Sequence, residues 1–119
     1  MRKVRPEELP ALLEEGVLVV DVRPADRRST PLPFAAEWVP LEKIQKGEHG
    51  LPRRPLLLVC EKGLLSQVAA LYLEAEGYEA MSLEGGLQAL TQGKYPRRMA
   101  DAERGERSSA GYSSGLWSR

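Results

Sequence analysis

Cysteine is almost missing: the 119 residues include only one, Cys60. That excludes an intramolecular disulfide and any Cys-rich metal site. A lone thiol suits a reducing compartment. Long apolar runs are missing too. None approaches the ~18 residues of a membrane span, and the start, Met1 to Pro6, lacks the apolar stretch of a signal peptide. A cytoplasmic protein is therefore expected, with no membrane contact. An excess of one charge is also lacking, since 17 Lys and Arg balance 17 Asp and Glu. The first 93 residues hold 11 basic against 14 acidic residues and the last 26 hold 6 against 3, an offset too small to imply nucleic acid. There is one histidine, His49, and no internal repeat. No metal or other cofactor is called for.

What is present fits one α/β domain over residues 1–95. Pro6 suits a first helical turn. The N-terminus reads as leading straight into that charged helix, with Leu9, Leu12 and Leu13 at helical spacing and Gly16 as its stop. Val17 to Val20 and Pro55 to Val59 are continuous apolar runs, typical of strands buried on both faces. Asp21 and Cys60 come directly after them. Residues 24–33 read as loop, and Leu41, Ile44 and Gly47 as a short helix with its end. Leu65, Val68, Ala69, Tyr72 and Leu73 are expected to share one buried helical face, closed by Gly77. Glu79 to Leu83 is a further strand, and Gly85-Gly86 opens a last helix through Leu87 and Leu90 that stops at Gly93. Strands alternating with helices predict a small, mostly parallel sheet with helices on both faces. Residues 96–119 have little apolar periodicity and read as a polar, flexible tail. Leu116 and Trp117 break its polarity near the end, and the competing reading is a docking segment that lays Trp117 and Tyr112 on a neighbouring surface.

Cys60 stands between a buried strand and an amphipathic helix, where parallel sheets form ligand crevices. The linking segment is Glu61, Lys62, Gly63, Leu64, Leu65 and Ser66. A loop that closes onto a helix start turns free backbone N–H groups inward, and such a nest holds an anion. A thiolate kept there is a nucleophile. Gly63 permits a positive φ, Lys62 adds positive potential, and Ser66 offers a hydroxyl hydrogen bond or a helix cap. The Glu61 charge and the apolar Leu64 and Leu65 act the other way. The competing reading is an inert cysteine buried at a strand end.

Cys60-x-x-Gly63-x-x-Ser66 resembles the active-site loop of rhodanese-like domains, C-x-x-G-x-R-S. Asp21-Val22-Arg23 resembles that family's D-V-R, and Val39-Pro40-Leu41 the end of its G-H-I-P-G-A stretch. Leu83 to Leu90 resembles its L-x-G-G-x-x-A-W motif. The four pieces occur in the family's order over residues 1–95. The resemblance implies a sulfurtransferase or persulfide carrier in which Cys60 takes sulfane sulfur from a small donor, thiosulfate or a persulfide. A thiol or a protein then accepts it. Asp21 and Arg23 are expected to support the loop as a pair.

The sequence also departs from the pattern. The loop Arg is Leu65, Pro31 to Ala36 lack the His and both Gly residues, and the final Trp is Leu90. Losing the Arg predicts weak turnover of free thiosulfate. It also keeps a second function open, a non-catalytic binding or redox-sensing module. Phosphatase chemistry needs an Arg six residues after the cysteine, where Ser66 stands. His49, between glycines, is expected to be a solvated surface residue. Gly85-Gly86 lacks nucleotide-loop spacing and reads as tight helix entry.

Overall fold

The computed structural model describes residues 1–91. Five parallel strands form one sheet in the order β1-β5-β4-β2-β3. They are β1 (Arg2–Val4), β2 (Leu18–Asp21), β3 (Glu37–Trp38), β4 (Leu56–Val59) and β5 (Ala80–Leu83). The helices are α1 (Leu9–Glu14), α2 (Leu41–Gln45), α3 (Leu65–Ala75) and α4 (Gly86–Ala89).

Why the central strands read as unbroken apolar runs is plain from the packing. All four residues of β4 are buried, because both faces of the sheet are covered. Leu56 and Leu58 point into a cluster with Ile44 of α2 and Ala69, Ala70 and Leu73 of α3. Leu57 and Val59 point the other way, onto Leu9 and Leu12 of α1 and Leu87 of α4. Each such leucine contributes roughly 1.5–3 kcal/mol by leaving water. β4 pairs with β2 from Leu18↔Leu56 to Asp21↔Val59, so Asp21 lies beside Val59 and Cys60 leaves the carboxyl edge one residue further on.

The structure corrects several expectations. The N-terminus is a strand before it is a helix: β1 pairs with β5 through Arg2↔Met81, Lys3↔Ser82 and Val4↔Leu83. Only Val4 of its three residues is buried, too little to leave a periodicity. β3 leaves no signal in the sequence either. It is an edge strand of two exposed residues, held by its pairing with β2. On α3 the buried face is Ser66, Ala69, Ala70 and Leu73. Val68 and Tyr72 face outward. His49 is not solvated: its side chain is 6% exposed, against Glu76. The Leu51 N–H donates to its Nδ1 at 3.0 Å, so Nε2 carries the proton facing Glu76 Oε1 at 2.9 Å. The stop at Gly93 and the tail 96–119, with Tyr112, Leu116 and Trp117, lie outside the described residues.

Candidate functional site

Cys60 follows the last residue of β4, and the chain then turns sharply to start α3. The Gly63 N–H points at Cys60 Sγ from 3.1 Å and the Ser66 N–H from 3.3 Å. Ser66 Oγ lies 3.6 Å from the sulfur and 2.7 Å from Ser82 Oγ of β5. Ser66 therefore serves the sulfur, and α3 has no side-chain cap at its start. The turn works because Gly63 has φ +90°, and a Cβ there would come within 3.0 Å of the Gly85 nitrogen. Gly86 is packed more tightly still: a Cβ would lie 2.5 Å from the carbonyl oxygens of Cys60 and Glu61. That closeness lets the Leu87 and Gln88 N–H groups donate to those two carbonyls at 2.8 and 2.9 Å. The first turn of α4 thus clamps the cysteine loop, which accounts for the paired glycines.

Glu61 turns away from the sulfur. Its carboxylate accepts hydrogen bonds from Arg23 Nη1 at 2.5 Å, from the Thr30 hydroxyl at 2.5 Å and from the Thr30 N–H at 2.9 Å. Burial pushes its pKa up, but the Thr30 donors and the Arg23 guanidinium outweigh that and hold it at about 2. Arg23 is buried, and each of its three guanidinium nitrogens is engaged. It forks onto Asp21 through Nε at 2.9 Å and Nη2 at 3.0 Å, and gives Nη1 also to the Thr30 carbonyl. Arg28 adds a contact to Asp21 at 3.2 Å and lies over the Trp38 ring. Asp21, Glu61, Arg23 and Arg28 neutralise one another, and their network ties loop 24–30 to the cysteine loop.

Between these loops opens a cavity of about 510 Å³ with Cys60 in its wall. Cys60 itself is 2% exposed and also belongs to the core cluster around Leu58, so it is more enclosed than a crevice residue. Lys62, Leu64 and Leu65 line one side of the cavity, and Asp26, Arg27 and Ser29 another. Among the described residues, Lys62 and Arg27 have no side-chain ion-pair partner.

The residues singled out from the sequence therefore converge, with different tasks. Cys60, Gly63 and Ser66 meet at the sulfur. Asp21, Arg23 and Glu61 brace the loops, and Lys62, Leu64 and Leu65 form the mouth. Ser82, Thr30 and Arg27 were missed. Ser82 left one signal, a hydroxyl inside an otherwise apolar strand, whereas Thr30 and Arg27 sit in a loop with no pattern.

No family model matches the chain. The thiosulfate sulfurtransferase GlpE of Pseudomonas savastanoi is 31% identical over 104 residues, covering 80% of this chain and 91% of that protein. The chain belongs to the rhodanese-like family. A rhodanese homolog from the extremely thermophilic bacterium Thermus thermophilus is 98% identical, with a TM-score of 0.72 over 75% of this chain and all of that one. A rhodanese-like domain protein from Staphylococcus aureus is 29% identical, with a TM-score of 0.65 over 75% of this chain and 90% of the other. The parallel sheet and its flanking helices are thus a rhodanese fold, and the cysteine loop of this rhodanese-like chain lies at its carboxyl edge.

Proposed function

We propose that this protein is a sulfurtransferase that carries sulfane sulfur on Cys60 as a persulfide. The observation that carries this reading is the convergence of the Gly63 N–H and the Ser66 N–H on one sulfur in a cavity wall, with the Ser66 hydroxyl oxygen beside it as acceptor of the thiol proton. Donors already held against a sulfur meet the charge that develops there during reaction without reorganisation. With thiosulfate, the Cys60 thiolate attacks the outer sulfur, the S–S bond breaks, and sulfite leaves with the electron pair. The charge then rests on the outer sulfur of the persulfide. An acceptor nucleophile takes that sulfur, and the electron pair of the second broken bond returns to Sγ as thiolate. Arg27 and Lys62 are the cations available to meet the oxygens of an anionic donor, in place of the Arg that Leu65 replaces. The GlpE relative is named for thiosulfate, and we extend that donor to this chain. The acceptor is a thiol or a protein.

No helix among the described residues is long and apolar enough to cross a membrane. A thiol that must stay reduced between turnovers fits the cytoplasm. The open cavity and the aimed donors weigh against a purely non-catalytic module. Mass spectrometry after incubation with thiosulfate tests the reading. The wild type should gain one sulfur atom, located to Cys60, and Cys60→Ser none. A wild type of unchanged mass would overturn it.

A further inference from the structure

Helix α3 is apolar on the side that faces water. Leu64 at its N-cap is 67% exposed, Val68 38%, Leu71 56% and Tyr72 43%. At 3.6 residues per turn these four and exposed Ala75 fall within about 100° of arc, opposite the buried Ser66, Ala69, Ala70 and Leu73. A surface helix ordinarily shows polar residues there. Apart from the Tyr72 hydroxyl, the polar side-chain groups of α3 are occupied within the molecule. Ser66 bonds at the sulfur, Gln67 donates to the Gly63 carbonyl at 2.9 Å, and Glu74 pairs with the N-terminal ammonium at 3.1 Å. Single exposed apolar residues need no explanation, but a continuous stripe does.

The stripe runs into the site. Leu64 is both its first residue and part of the wall of the Cys60 cavity. We propose that this face of α3 docks a second protein that exchanges sulfur with Cys60. Apolar side chains of the partner lie along Leu64, Val68, Leu71 and Tyr72, and its cysteine is thereby set at the cavity mouth. This rests on the persulfide reading above. The partner thiol sulfur bonds to the outer sulfur, the bond from that sulfur to Sγ breaks, and Sγ leaves as thiolate. The thiol proton ends on the outer sulfur, now held by the partner.

Two other occupants fit less well. Eleven residues make a helix about 16 Å long and about 10 Å across, a footprint of roughly 160 Å². A stable dimer buries ~800 Å² on each side, so this face suits a transient visitor rather than a second copy. Residues 92–119 carry six basic residues against three acidic. Laid here, they would bring like charge to the unpaired Lys62 and Arg27 at the mouth. Apolar side chains flanked by acidic ones match the surface better.

The test compares two cysteine peptides of equal length as acceptors from the thiosulfate-loaded full chain. One flanks its cysteine with leucine, phenylalanine and glutamate, the other with serine and glutamine. Cyanide serves as a small acceptor. Wild type should discharge to the apolar peptide about tenfold faster than to the polar one at low concentration. Leu71→Gln with Tyr72→Gln should erase that preference, with cyanide discharge and the thermal melt unchanged. Equal rates for the two peptides, or a preference that survives the double substitution, would overturn the docking surface alone. So would a wild-type dimer that the substitution dissociates. A wild type that takes up no sulfur, or keeps it in the presence of cyanide, would instead overturn the persulfide reading and this inference with it.

Discussion

Arg27 stands in the cavity wall without an ion-pair partner, while Arg23, four residues earlier, engages all three of its guanidinium nitrogens with Asp21, Glu61 and Thr30. Their chemistry is the same and their tasks differ, because only one meets buried carboxylates. Hydrogen bonds to charged groups contribute roughly 1.5–3 kcal/mol, and solvent at the exposed Arg27 reduces that. Arg27→Ala should therefore lower kcat/KM for thiosulfate by about tenfold and leave the melting temperature unchanged, as a steady-state cyanide assay and a melt would show. Leu65→Arg should raise kcat/KM, but only several-fold, since Arg27 and Lys62 already supply charge. A larger loss of fold than of rate in Arg27→Ala would show that this side chain is structural. Glu61 allows a prediction in pH. Its folded pKa of about 2 lies below the ordinary 4.5. A depressed carboxylate stabilises the fold fully above the unfolded value, and that contribution fades as pH falls from about 4.5 towards 2. The wild-type melting temperature should drop across this window, and Glu61→Gln should be lower at neutral pH and flatter. Parallel curves for the two proteins would exclude Glu61 as the acid-sensitive link between the loops.

At the scale of elements, the site is made where α4 meets the cysteine loop. The first N–H groups of α4 would otherwise lack partners, and they find the carbonyls of Cys60 and Glu61. Gly86→Ala places a methyl group 2.5 Å from both oxygens at φ +65°. Those oxygens are backbone and cannot rotate away. The substitution should cost at least about 2 kcal/mol and slow persulfide formation together with the loss of stability, read by denaturant unfolding and by mass spectrometry. An alanine variant as stable as wild type would mean that the clamp opens without penalty. The paired glycines, the strand before Cys60 and the helix after it were all legible in the sequence, because close approach and double-sided burial each leave a compositional trace. β1 and β3 were not. Arg2–Val4 bury a single side chain and Glu37–Trp38 none, so hydrogen bonding to β5 and β2 is what makes them strands. Helix α3 misled for a related reason. It is apolar on two sides, so periodicity identified the helix but assigned Val68 and Tyr72 to the wrong face.

Over the whole molecule, two apolar layers enclose the sheet, and Cys60 belongs to one of them as well as to the cavity. Cys60→Ser should abolish persulfide formation while leaving far-UV circular dichroism unchanged. Its melt should shift by only a few degrees, because the smaller hydroxyl inherits the Gly63 and Ser66 N–H donors. A collapse of the fold would make Cys60 structural first. The class of fold, the place of Cys60 at a strand end and the residues of its loop were determined by the sequence alone. Each depends on local pattern: apolar runs, a glycine at the turn, a cysteine and a serine six residues apart. The tertiary structure alone decided which way the charges face. Glu61 could have opposed a thiolate, but Arg23 and Thr30, from a loop some thirty residues earlier, draw it off. Arg27 reaches the cavity and Ser82 reaches Ser66 only because the parallel sheet sets β2, β4 and β5 side by side. Contacts of that kind join residues far apart in the chain, and no spacing within a single segment encodes them.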